Sequence, residues 1–219
     1  MIVIAACAAL VLAGVVIVVR LGGDPPAPPR ERGTRALLRS LALTGAAGLA
    51  AGALAAGAGG RLVMRLLALT SPEAEGSLTE AEQIVGEISA DGTLAFIVFA
   101  GLPAGLITAM LYVLLRPILP PGRIGGAALG AIALLLVGTR IEPLRPDNFD
   151  FNIVGPTWLS VLSFTALAVF QGLVTVALAQ RVPGPRPLTS REAAAGRIVL
   201  AALVLVTLPL FVLELRDLG

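Results

Sequence analysis

The residues of this chain best suited to chemistry are two arginines and the acids that follow them. Arg61 and Arg65 share one helix face at i, i+4 spacing, and Glu73, Glu75, Glu80, Glu82, Glu87 and Asp91 come next. A guanidinium at a half-dry interface is held best by a carboxylate in forked geometry. The pattern therefore admits an ion-pair cluster of Arg61, Arg65, Glu80, Glu87 and Asp91, suited to an anionic headgroup or an outer partner protein. It equally admits two arginines that simply snorkel to lipid phosphates.

Other chemistry finds few parts. There is no histidine, which removes the usual proton relay and general base. Cys7 is the only thiol, so an internal disulfide and a cysteine zinc cluster are both excluded. Asn148-x-Asp150-x-Asn152 alternates oxygen ligands as a calcium loop does. The required glycine and the closing glutamate are missing, so a capped turn explains the residues and no metal is expected. No G-x-x-x-x-G-K-[ST], G-x-S-x-G or H-E-x-x-H motif occurs. No catalytic residue and no cofactor is expected.

The elements that must position these residues are apolar helices. Apolar residues make up 57% of the 219-residue chain and charged residues 14%. A chain with so little polar surface is expected to span a bilayer as an all-α bundle of about six transmembrane helices. Apolar runs place them at about 2–19, 41–60, 94–115, 124–139, 158–179 and 198–213, forming a single membrane domain over 1–219. No basic residue precedes the first run, which argues against a cleaved secretory signal. Residues 20–40, rich in proline and arginine, read as a linker. Leu78, Ala81, Ile84, Val85 and Ile88 fall within one apolar arc opposite Glu80, Glu87 and Asp91. This predicts a short amphipathic surface helix over about 78–91, opened by a capping box at Ser77 or Thr79 and closed by Gly92.

Small residues mark the expected helix contacts. Gly48 and Gly52, Gly101 and Gly105, and Gly126 and Gly130 are spaced for close backbone approach. The interiors of the expected spans hold no ionisable group, which disfavours a proton-coupled transporter. Their polar residues, Thr108, Tyr112, Ser163, Thr165, Gln171, Thr175 and Thr207, read as bonds between helices or back to their own backbone. A faint similarity links the third and fifth spans in two conflicting registers. Val98-Phe99-x-Gly101 matches Val169-Phe170-x-Gly172, and Gly105-Leu106-x-Thr108 matches Gly172-Leu173-x-Thr175.

Charge predicts orientation. All sixteen basic residues are arginine, and eleven of them lie in 20–40, 116–123 and 180–197 with only three of the fourteen acids. The positive-inside rule places those loops in the cytoplasm and both termini outside.

Arg61-x-x-Met64-Arg65 with Thr70-Ser71-Pro72, then Gly92-Thr93-Leu94, then Asp150-Phe151-x-x-x-Gly155-Pro156 resembles uncharacterised multi-pass membrane proteins of actinobacteria. The resemblance covers about Arg61 to Arg181 and implies a helical membrane protein, with no activity attached. The leading expectation is a non-enzymatic protein of the bacterial cytoplasmic membrane, structural or accessory to a larger assembly. Its partners would be the lipid bilayer and another membrane protein or a second copy, without nucleic acid. The rival expectation is a small oligomeric channel or transporter whose outer vestibule is the Arg61 and Arg65 cluster.

Overall fold

The computed structural model describes residues 1–23, 33–79, 84–138, 144, 150–183 and 190–216. The described chain is an all-helical bundle. Its main helices are α1 (Ile2–Leu21), α2 (Thr34–Leu69), α3 (Ala90–Leu115), α4 (Gly122–Gly138), α5 (Thr157–Ala179) and α6 (Ser190–Arg216). All but α4 are long and apolar enough to cross a membrane, which marks a membrane-embedded protein. Helix α4 is also apolar but shorter, about 25 Å. Successive helices alternate in direction. The ends of α1, α3 and α5 meet the starts of α2 and α4 at one, basic end of the bundle, with Arg20, Arg39, Arg116, Arg123 and Arg181. The end of α2, with the acidic segment after it, meets the start of α5 at the other, acidic end.

Local chemistry explains most helix limits. Gly33, at φ +107°, turns the chain into α2 with a backbone conformation that side-chain-bearing residues avoid. Ser89 caps α3, its hydroxyl accepting from the Gly92 N–H at 3.2 Å, and Asp91 follows in the positively polarised first turn. At the far end of α2 the Thr70 hydroxyl donates back to the Leu67 carbonyl at 2.8 Å.

Helix α5 is the hub, packing on α1, α2, α3 and α4. The tightest contacts are two hairpins, α2 with α3 and α4 with α5, and glycines make both. Gly105 sits between Gly48 and Gly52, and Gly101 meets Gly52 and Gly57. In the second hairpin Gly172 sits between Gly126 and Gly130. A Cβ on Gly48, Gly52, Gly101, Gly105, Gly126, Gly130 or Gly172 would strike backbone, so only glycine permits the approach. The equivalence of Gly105 with Gly172 selects one of the two registers of internal similarity. In that register Thr108 and Thr175 coincide, and each donates to the carbonyl four residues earlier, at 2.7 and 2.8 Å. Just beyond the paired glycines α2 and α4 both widen into π-helical turns, at Ala53–Gly59 and Leu134–Gly138.

The structure corrects the expected surface helix at 78–91. Leu78 and Ile84 instead form an isolated antiparallel bridge, supported by Val85 N–H to Ser77 carbonyl at 2.9 Å. Gly76 and Gly86 turn the chain at φ +86° and +91°, and among the described residues between α2 and α3 only the 3-10 turn Pro72–Ala74 is helical. A helix of that length is marginal on its own, and Gly86 would sit inside it. Gly92, expected to end the helix, lies instead in the first turn of α3. The capping glutamates Glu80 and Glu82 lie outside the described residues.

The linker and the second span also shift. Residues 20–21 belong to α1 and 34–40 to α2, which leaves 24–32 outside the described residues. Helix α2 runs for 36 residues, about 54 Å, and carries Arg61 and Arg65 in its last turns. Helix α6 likewise runs through Pro209 to Arg216.

Candidate functional site

Arg61 departs most from the sequence expectation. Because α2 continues to Leu69, Arg61 lies two turns before the helix end and is only 8% exposed. It is the only charged side chain among the buried described residues, one residue beyond the second apolar run expected at 41–60. The helix geometry favours this burial. Cα–Cβ bonds tilt toward a helix N-terminus, which in α2 points Arg61 toward the middle of the bundle and away from the acidic end.

The surroundings of Arg61 answer its charge weakly. The guanidinium carbon lies 5.9 Å from the centroid of the Phe96 ring on α3, and Gly60 makes room for that ring. Cys7 of α1 is its electrostatic neighbour. Nε is buried with no hydrogen-bond partner. Removing an ion from water costs several kcal/mol, whereas a cation–π contact returns about 0.5–2 kcal/mol. The Phe96 contact therefore offsets only part of the cost.

Arg65, one turn later, is committed differently. Its Nη1 donates to the Gly86 carbonyl at 2.7 Å, latching the turn of the 76–86 segment to α2. Glu75 flanks the same glycine. Of the acids expected to join the cluster, Glu87 and Asp91 are exposed, and Asp91 engages Ser89 and the Gly92 backbone in the first turn of α3. Glu80 lies outside the described residues. Among the described residues, Arg61 and Arg65 contact a ring and a carbonyl rather than carboxylates.

Segments distant in sequence meet beside Arg65. The Ser71 hydroxyl accepts from the Gly155 N–H, and Gly155, at φ +75°, packs against Leu67 and Thr70. The Thr70-Ser71 and Gly155-Pro156 motifs thus form one joint at the acidic end. Asp150 opens a single helical turn, Asp150–Ile153, in place of a ligand loop, and Asn148 lies outside the described residues.

The basic end holds a set of residues that sequence reasoning missed. Gln180, 5% exposed, donates through Nε2 to the carbonyls of Leu21 at 2.7 Å and Gly23 at 3.0 Å, and its Oε1 accepts from the Gly122 N–H at 3.2 Å. It thereby ties the end of α1 to the start of α4. Arg116 donates to the carbonyls of Val182 at 2.6 Å and Gln180 at 3.3 Å, and Arg123 to Val19 at 3.2 Å. The available signal was chemical, since helix C-termini present unpaired carbonyls to long donors. The pairing itself is invisible in sequence, because the partners of Gln180 at the end of α1 lie 157 and 159 residues away.

Within the bundle, Gln171 is buried and its amide lies against Ala51, Gly52 and Ala56 of α2. Oriented to satisfy both ends, it donates to the Ala51 carbonyl at 2.9 Å and accepts from the Gly52 N–H at 3.3 Å. It braces α2 where the helix widens. Thr207, like Thr108 and Thr175, bonds its own helix, to the Leu203 carbonyl at 2.8 Å. A recess of about 330 Å³ between α2 and α3 is lined by Leu41, Gly45, Leu106, Met110 and their apolar neighbours. In comparisons with known proteins, no family model, no curated protein and no solved structure matches the chain.

Proposed function

We propose that the chain is a non-enzymatic six-span protein of the bacterial cytoplasmic membrane, structural or accessory to a larger assembly. The supporting observation is the way the interior is filled. Glycine contacts close the two hairpins, and Thr108, Thr175, Thr207, Gln171 and Gln180 bond to backbone groups. Polar groups used in this way are taken up by bonds within and between helices. The apolar outer face of α6, with Ile198, Val199, Leu205 and Val206 exposed, is suited to lipid or a neighbouring membrane protein.

The basic end faces the cytoplasm in this reading, by the positive-inside rule. Single cysteines placed at Glu75 and Ser190 in a Cys7→Ala background test it. A membrane-impermeant maleimide added to intact cells is expected to label Glu75→Cys, and Ser190→Cys only after permeabilisation. The opposite pattern would reverse the orientation. The accessory role is tested by reconstitution: proteoliposomes should show no solute flux above empty vesicles. Specific flux abolished by Arg65→Ala would replace this reading with a channel or transporter.

A further inference from the structure

Arg61 combines three features not found together elsewhere among the described residues. It carries full charge, it is nine-tenths buried, and its Nε faces no acceptor. Among the described residues, the groups that answer its charge are a thiol and an aromatic ring, neither of them an anion. Arg65 is occupied by the Gly86 carbonyl. Cys7 lies five residues into α1 and Phe96 six residues into α3, so the guanidinium sits about 8–9 Å below those helix ends. With the helix ends at the membrane surface, this is close to the base of the headgroup layer.

We propose that Arg61 anchors a phosphate-bearing anion at the junction of α1, α2 and α3. The planar fork of a guanidinium matches phosphate oxygens in pairs, and an aromatic face on one side leaves its hydrogen-bonding edge for the ligand. The phosphate belongs either to a phospholipid headgroup or to the free ion. The inference rests on the bilayer setting and not on the accessory role, so failure of either leaves the other standing.

The test uses the purified full chain in mild detergent. Native mass spectrometry with phosphatidylglycerol, and with diacylglycerol as the phosphate-free control, reads the lipid source. Thermal shift against inorganic phosphate reads the free ion. The expected result is retention of phosphatidylglycerol but not diacylglycerol, weakened about tenfold by Arg61→Ala and less by Arg61→Lys. A stabilisation by inorganic phosphate that Arg61→Ala abolishes would instead identify the free ion as ligand. Should Arg61→Ala fail to fold, phenylglyoxal modification of the wild-type chain decides, since Arg61 should be protected by phosphatidylglycerol or phosphate. Equal retention of both lipids by wild type and variant with no phosphate effect, or modification of Arg61 at the same rate with and without phosphate-bearing ligand, overturns the proposal.

Discussion

Two buried glutamines do different work from the threonines around them. Gln171 reaches from α5 to the backbone of α2, where a widened turn leaves groups without their regular helical partners. Thr175, one turn along, bonds within its own helix. Replacing Gln171 by leucine should therefore destabilise the bundle by about 1–2 kcal/mol, because the freed backbone groups find no water. Thr175→Val should stay within about 0.5 kcal/mol. Unfolding in mixed micelles with increasing SDS measures both, and equal effects would show that Gln171 is not a brace. Residue chemistry was only partly legible in sequence. Gln171 stood out as the sole amide within an expected span, but the polarity of Gln180 made it read as the edge of a loop. Its burial arises because three chain segments converge on it.

At the scale of elements, the glycine hairpins decide the packing. Gly48 meets the Gly105 backbone and the Ala109 side chain, whereas a Cβ at Gly45, three residues earlier, would meet nothing within 4 Å. Gly105→Leu and Gly172→Leu are expected to separate their hairpins and cost about 1–3 kcal/mol or more, by overpacking. Gly45→Ala should be neutral or slightly stabilising, since alanine is the better helix former. Thermal melts of the three variants in one detergent compare them directly, and a Gly105→Leu protein as stable as Gly45→Ala would contradict the packing. The small-residue spacing was readable in the sequence, though neither the partner of each glycine nor the register relating the hairpins was. A glycine specifies closeness without specifying to what.

The whole molecule has an uneven density. Leu129 of α4 is fully buried in a cluster with Ala47, Tyr112, Val176 and Ala179, whereas Leu205 of α6 is 74% exposed. In a bilayer the usual transfer term nearly vanishes, because lipid tails are as apolar as leucine, and the cavity term remains. Leu129→Ala should thus cost about 2 kcal/mol and Leu205→Ala within about 0.5 kcal/mol. The same SDS titration reads this contrast. Helix α6 touches the bundle mainly through Phe211, beside Leu134 and Leu144, so it should be the first main helix to detach. Cysteine accessibility along α6 under mild SDS, compared with α5, would reveal that order.

The sequence by itself determined that the chain is helical and membrane-embedded, and it located the apolar helices closely. The reason is local: in lipid each backbone N–H and C=O must be satisfied within its own segment, so hydropathy alone marks the spans. Tertiary structure decided what depends on distant partners. It buried Arg61 against Phe96, and in place of the expected surface helix it set the Leu78–Ile84 bridge and a turn latched by Arg65. These outcomes depend on contacts with Phe96, Gly86 and Cys7, which lie on other segments, and no periodicity within α2 encodes them.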